Sequence, residues 1–139
     1  MLLAALVAAV AAAGCGQEAG HEYRSQLDDA HAAFSERLVK GRDTTQAKSQ
    51  SSYARGTRQL RAAADAFVVR LRELDEPAGA RDEEAALVTA LSDFSDAVGR
   101  ISVAVRARDK RAIHSAGADV RSGGERIDAA FAALRGAVG

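Results

Sequence analysis

The sequence predicts an all-α fold, in the form of an elongated, antiparallel four-helix bundle connected up-down-up-down. The first observation is composition: hydrophobic residues, many of them alanine, make up 47% of the 139 residues, whereas aromatic residues make up 4% and tryptophan is absent. Such usage favours helices over a sheet. The second observation is that apolar residues recur at steps of three and four in four segments joined by short breaks. Helices with short connections pack as antiparallel neighbours.

The predicted breaks are residues 41–43 (GRD), 76–79 (EPAG) and 108–110 (RDK). The first helix is expected to begin at Glu22. Its apolar face consists of Tyr23, Leu27, Ala30, Phe34 and Leu38. A rival arrangement has this helix docked loosely on a core made by the other three.

The second helix is expected to open at residues 43–46 (DTTQ), which resemble a capping box, with a start nearer Ser51 as the alternative. Its apolar face keeps heptad steps, which are typical of a packed seam between helices. That face consists of Tyr53, Thr57, Leu60, Ala64, Phe67, Leu71 and Leu74.

The third helix is predicted from Ala80 to Ala107, about 42 Å long at 1.5 Å per residue, so the molecule should be a rod. Its apolar face consists of Leu87, Leu91, Phe94, Val98, Ile101 and Val105. Its first turn holds three acidic residues, as the helix dipole favours.

The fourth helix has its apolar face at Ile113, Gly117, Val120, Gly124, Ile127, Phe131, Leu134 and Val138. We predict one continuous helix in which Gly117 and Gly124 lie on the seam against a bulky neighbour such as Phe67 or Phe94. The alternative is a kink, or a new helix start at residues 122–125 (SGGE).

The first fourteen residues have the features of a signal peptide. The uncharged apolar run of residues 2–13 would span about 18 Å as a helix, too short for a hydrocarbon core of about 30 Å. The end of this run and the two residues after it, Ala12-Ala13-Gly14-Cys15, resemble the lipobox of bacterial lipoproteins, although leucine is usual where Ala12 stands. No Lys or Arg precedes the apolar run, so we expect the natural start to lie a few residues upstream.

The lipobox resemblance implies that a signal peptidase cuts between Gly14 and Cys15 and that Cys15 becomes the lipidated first residue of the mature chain. It gives a signal peptide (1–14), a lipidated cysteine with a short tether (15–20) and a helical bundle domain (21–139). Cys15 is the one cysteine, so it has no internal disulfide partner. Two or three acyl chains would anchor the chain stably. The alternative for Cys15 is an ordinary thiol in an alanine-rich helix.

The sequence offers little for catalysis or metal binding. Nineteen basic residues balance nineteen acidic ones, which argues against a nucleic-acid partner. Nucleophile elbows, phosphate-binding glycine loops, haem-attachment motifs and di-iron motifs are missing from the sequence. We therefore predict no enzyme and no cofactor. One metal site is conceivable, in which His31 and His114 on adjacent helices bind the same ion. The alternative is that both are ordinary histidines on helix surfaces.

The charged residues are expected to divide between the two ends of the rod. Basic residues gather near the first and third breaks, with a predicted basic patch at the end far from the membrane. That patch consists of Arg106, Arg108, Lys110 and Arg111. One interpretation is an ordinary solvated surface without a partner, in which cations near helix C-termini are favoured by the helix dipole. The functional one is a docking surface for an anionic envelope polymer or protein.

The sequence therefore predicts an exported lipoprotein on the extracytoplasmic face of a membrane, serving as a non-enzymatic structural or interaction module at the cell envelope. It is similar in composition and layout to the small Ala- and Arg-rich helical lipoproteins of high-GC bacteria. The alternative function is a bundle that sequesters a small ligand or metal ion at the envelope. An unanchored secreted helper is a third hypothesis.

Overall fold

The computed structural model describes residues 15–46 and 49–138, which form an antiparallel four-helix bundle. The helices are α1 (Cys15–Gln46), α2 (Gln50–Arg72), α3 (Arg81–Ala107) and α4 (Lys110–Ala137). Each helix packs along the next one in the chain. With 32 residues, α1 is about 48 Å long, so the bundle is a rod. The predicted fold class is confirmed.

The first connection lies later in the chain than predicted. Helix α1 continues through residues 41–46, and α2 begins after Ser49, whose side-chain oxygen accepts a hydrogen bond from the Ser52 backbone N–H at 3.0 Å. The predicted break at residues 41–43 and the capping box at 43–46 were therefore wrong, and the alternative start near Ser51 was close. Gly41 lies within α1, on the face that packs against Leu60 of α2, and does not end the helix.

Helix α1 also begins earlier than expected, at Cys15 instead of Glu22. The residues expected to form a tether, 15–20, are the first turns of this helix. The predicted signal peptide, residues 1–14, lies outside the described residues, as does the Gly14 side of the predicted cleavage site.

The third connection lies where the sequence predicts it, whereas the second contains the predicted break at 76–79 but begins earlier, because α2 ends at Arg72. Leu74, predicted on the α2 face, is buried but follows that helix. Helix α3 begins at Arg81 with Ala80 as its N-cap, and α4 begins at Lys110 after Asp109. The Asp109 carboxylate accepts a hydrogen bond from the Ala112 backbone N–H at 3.0 Å, which satisfies one of the free donors at this helix start. Helix α4 is continuous through both central glycines, as predicted.

The core is a single apolar layer running between all four helices. Four predicted residues of the α1 face are buried, which favours the four-helix arrangement over a loosely docked α1. The largest fully buried side chains are Leu27, Leu71, Leu87, Leu91, Val98, Ile127 and Leu134. Burying one such side chain stabilises the fold by roughly 1.5–3 kcal/mol.

The fourth helix is rotated slightly from the predicted face. Ala116 and Gly123 are buried, whereas Gly117 and Gly124 are half-buried. A Cβ at Gly123 would lie 3.4 Å from Phe94, and one at Gly124 would meet nothing within 4 Å. The expected close approach to Phe94 exists, but Gly123 makes it. The heptad register drifts because 3.6 residues per turn do not match a strict seven-residue repeat.

Helices α1 and α4 contact each other around the middle of α1. The imidazole of His31 stacks on the ring of Phe131, with centroids 3.8 Å apart and planes 13° apart. One turn away, the Arg135 guanidinium donates to both carboxylate oxygens of Asp28, at 2.8 and 3.2 Å. Farther toward the Cys15 end, Gly20 lies close to the backbone oxygen of Val138, to which a Cβ at Gly20 would come within 3.4 Å.

Candidate functional site

Charged residues divide the rod into two halves. We call residues 40–46, 50–61 and 98–120 the basic pole, because the antiparallel packing places them at the same end. It carries ten Lys and Arg against three Asp and Glu. The rest of the described chain, the acidic pole, carries eight Lys and Arg against sixteen Asp and Glu. A chain with zero formal net charge is therefore strongly polarised along its length.

The four predicted patch residues lie together in the basic pole, around the α3–α4 turn. All four are exposed. Arg106 lies in the last turn of α3, Arg108 in the turn itself, and Lys110 and Arg111 in the first turn of α4. Within residues 15–46 and 49–138, the structure pairs none of the four with a carboxylate. Their charge faces solvent.

The α1–α2 side adds to this surface. The exposed cations of α1 and α2 in the basic pole are Lys40, Arg42, Arg55, Arg58 and Arg61. Arg37, one turn before Lys40, is exposed as well. All ten cations of the pole are exposed, and Arg100 is the one that the described structure places in an ion pair, with Asp119 at 3.2 Å.

Arg108 has an unusual backbone. Its φ of 55° and ψ of 28° place it in the left-handed region, where it caps the C-terminus of α3. Its N–H donates to the backbone oxygens of Ala104 and Val105. Glycine is the usual residue for this cap because it has no Cβ to clash. The chain keeps an arginine there instead.

Cys15 lies at the opposite end of α1 from the basic pole, as its first described residue. Lys40 follows 25 residues later, so about 37 Å of helix separates Cys15 from the start of the basic pole. The α2–α3 connection and the C-terminus of α4 lie at the Cys15 end, with the acidic pole. An anchor at Cys15 would hold the basic pole away from the membrane.

The structure does not bring His31 and His114 together. His31 is level with Phe131, whereas His114 lies 17 residues earlier in the same continuous helix, about 25 Å away along its axis. The imidazoles cannot share one ion at that separation, because Zn–N bonds are about 2 Å long. The comparable heights assumed from the sequence were wrong. Among the described residues, no group of three or more His, Cys, Asp or Glu is placed to hold a metal.

Two ionisable groups of α1 in the acidic pole, Tyr23 and Asp28, have shifted pKa values. The Tyr23 hydroxyl donates to a Glu84 carboxylate oxygen at 2.6 Å. Burial raises the pKa of Tyr23 far above its usual value, and the bond to Glu84 raises it further. The hydrogen bond from Arg135 holds the pKa of Asp28 below its usual value. Both groups tie α1 to a helix distant in sequence, so their role is structural.

Two surface grooves are open to solvent. One, of about 630 Å³, runs between α1 and α2, and its lining comprises four alanines, four charged residues, Val69 and the buried Phe34 and Phe67. The other, of about 700 Å³, lies along α3 in the basic pole, beside Gly99 and the exposed Val103. Both grooves are open clefts, and four charged residues line part of each.

The sequence reading missed Gly41 and Gly56, which permit the closest helix approach, and the left-handed Arg108. The glycine pair could have been found as two small residues at antiparallel positions on adjacent helices.

No family model, curated protein or solved structure matches this chain. None of the described helices combines the length and apolar character needed to cross a membrane.

Proposed function

We propose that the chain is an exported lipoprotein, anchored in a membrane through lipid on Cys15, whose bundle acts as a non-enzymatic interaction module at the cell envelope. The observation that carries this proposal is the sequence Ala12-Ala13-Gly14-Cys15 after a twelve-residue apolar run. That arrangement fits export followed by lipidation.

The geometry of α1 supports the same function. Because α1 begins at Cys15 and continues into the bundle, lipid on this residue would attach the membrane to one end of a rod. The acidic pole would then face the membrane and the basic pole would point away. A rod attached at one end is suited to presenting its far end to a partner.

Metabolic labelling with an alkyne-bearing fatty acid tests the proposal. The wild-type chain should become labelled, and Cys15→Ser should lose the label because it lacks the acceptor sulfur. The matched control adds Ser25→Cys to the Cys15→Ser chain, placing a thiol on an exposed position of α1. That control should stay unlabelled.

Two results would refute the anchor. One is the absence of label on the wild-type chain in cells that label their other lipoproteins. The other is equal labelling of the Cys15→Ser chain, which would put the fatty acid elsewhere.

A further inference from the structure

We propose that the basic pole binds a flexible polyanion that carries its charge on phosphate groups. The proposal rests on the proposed function in one respect: an exported, anchored bundle would meet such a polymer in the cell envelope. The binding itself depends only on the folded bundle.

The strength of the charge segregation is the first argument. All ten cations of the basic pole are exposed, against three carboxylates. Asp109 caps α4 and Asp119 pairs with Arg100, so two of these three carboxylates are already engaged. The pole therefore presents an excess of positive charge on a molecule with zero formal net charge. Such a surface attracts anions and raises their local concentration.

The chemistry of the cations is the second argument. Eight of the ten are arginine and two are lysine, in a chain whose nineteen cations include sixteen arginines. Arginine presents a planar fork of N–H donors that can bind two oxygens of one phosphate. Because these arginines lie on all four helices, a polymer with repeated phosphates could contact several of them at once.

The shortage of apolar anchors favours a polymer over a folded protein. Protein interfaces are enriched in aromatic side chains and Met as well as arginine, and their centres are depleted of charged residues. Tyr53 is the aromatic residue of the basic pole, and it is half-buried. Val103, 57% exposed, is the large apolar side chain exposed in the described part of the pole, and Val39, 56% exposed, lies at its edge beside Lys40. Charge without such a centre suits a ligand held by phosphate contacts.

The backbone of Arg108 is a further argument. A left-handed arginine is less stable than a glycine in the same turn. A ligand contact made by the Arg108 side chain would explain why an arginine, and not a glycine, lies at the tip of the α3–α4 turn. Residues held in unfavourable backbone conformations often lie at binding sites.

Fluorescence anisotropy with end-labelled inorganic polyphosphate tests the proposal, using the chain purified from cells in a nonionic detergent. The test variant combines Arg106→Glu, Arg108→Glu and Arg111→Glu. The matched control combines Arg72→Glu, Arg81→Glu and Arg121→Glu, which gives the same net charge from exposed positions in the acidic pole. Circular dichroism checks that both variants fold.

The test variant should bind polyphosphate about tenfold more weakly than the wild type at low salt and should show a shallower salt dependence, because fewer counterions are released. The control should stay within about threefold of the wild type. Arg108→Gly should raise the melting temperature while weakening binding, an opposite pair of effects that a purely structural arginine would not give.

Three results would overturn the proposal. They are no binding of polyphosphate by the wild type, equal weakening by the two triple variants, and tighter binding of a DNA duplex with the same number of phosphates. Because the assay does not require lipid on Cys15, its failure would leave the anchor intact. Failure of the fatty-acid labelling would likewise leave polyanion binding intact.

Discussion

At the scale of single residues, Arg108 has an unusual backbone conformation and Tyr23 has an unusual environment. Arg108 adopts a left-handed backbone at a helix end, and Tyr23 is a buried phenol bonded to a carboxylate. Neither property follows from residue type. The sequence predicted Arg108 as part of a basic patch and Tyr23 as part of an apolar face, and the structure places both there.

Replacing Arg108 with glycine should stabilise the bundle. Glycine adopts the observed φ of 55° without the Cβ penalty, so the free energy of unfolding should rise by about 0.5–1 kcal/mol. Urea denaturation followed by circular dichroism measures this change. Arg106→Gly is the control, since Arg106 lies in the last helical turn of α3, where glycine should cost up to about 1 kcal/mol. Destabilisation by both substitutions would contradict the expectation.

The buried phenol of Tyr23 should make stability fall at high pH. Its pKa is raised in the folded chain, so its contribution is complete below the usual value of 10.0 and is lost as the pH rises above it. Tyr23→Phe should cost about 1–2 kcal/mol at neutral pH, because Glu84 loses a hydrogen bond. The difference between the two chains should shrink between pH 9 and 11.

Urea midpoints of both chains across that pH range provide the test. The Tyr53 contribution is common to the two proteins and cancels in the comparison. A constant difference from pH 8 to pH 11 would show that the Tyr23 hydroxyl does not control the alkaline loss of stability.

At the scale of helices, α1 and α2 approach most closely where Gly41 meets Gly56. A Cβ at Gly56 would lie 2.5 Å from Thr45 Cγ2 and 2.8 Å from the backbone oxygen of Gly41. A Cβ at Gly41 would lie 2.7 Å from Leu60 Cδ2, which is a movable side chain. The crossing therefore depends chiefly on the missing side chain of Gly56.

Gly56→Ala should destabilise the bundle by about 1–3 kcal/mol, because the backbones of α1 and α2 must separate to admit the methyl group. Gly124→Ala is the matched control, since its Cβ would meet nothing within 4 Å. In the control, the better helix propensity of alanine should stabilise the protein by about 0.5–1 kcal/mol. Thermal unfolding of the two variants measures both effects, and an equal shift in melting temperature would exclude the close crossing.

The helices themselves could be predicted from apolar spacing, and their boundaries only in part. Pro77 and the Asp109 cap are local sequence signals that predict the α2–α3 and α3–α4 connections. The first connection has no such signal, because Gly41 can end a helix or allow two helices to touch. Which of these happens depends on α2 packing against it, and local sequence does not contain that contact. The one-residue shift from Gly124 to Gly123 has the same origin.

At the scale of the whole molecule, the bundle is a rod with opposite charges at its ends. The polarity could be predicted, because chain order and short connections fix which turns share an end. The distance between His31 and His114 could not be judged correctly, because it depends on how far each helix extends before the turn. Helix α1 begins at Cys15. The anchor that we propose at this residue, the acidic pole and the basic pole therefore lie in that order along one axis.

Mass spectrometry of the N-terminal peptide, released from protein extracted from membranes, tests the lipid-anchored rod most directly. We predict a peptide that begins at Cys15 and is heavier by a diacylglyceryl group on sulfur, with or without a further acyl chain on the amine. A peptide that still carries residues 1–14 and an unmodified Cys15 thiol would contradict the account.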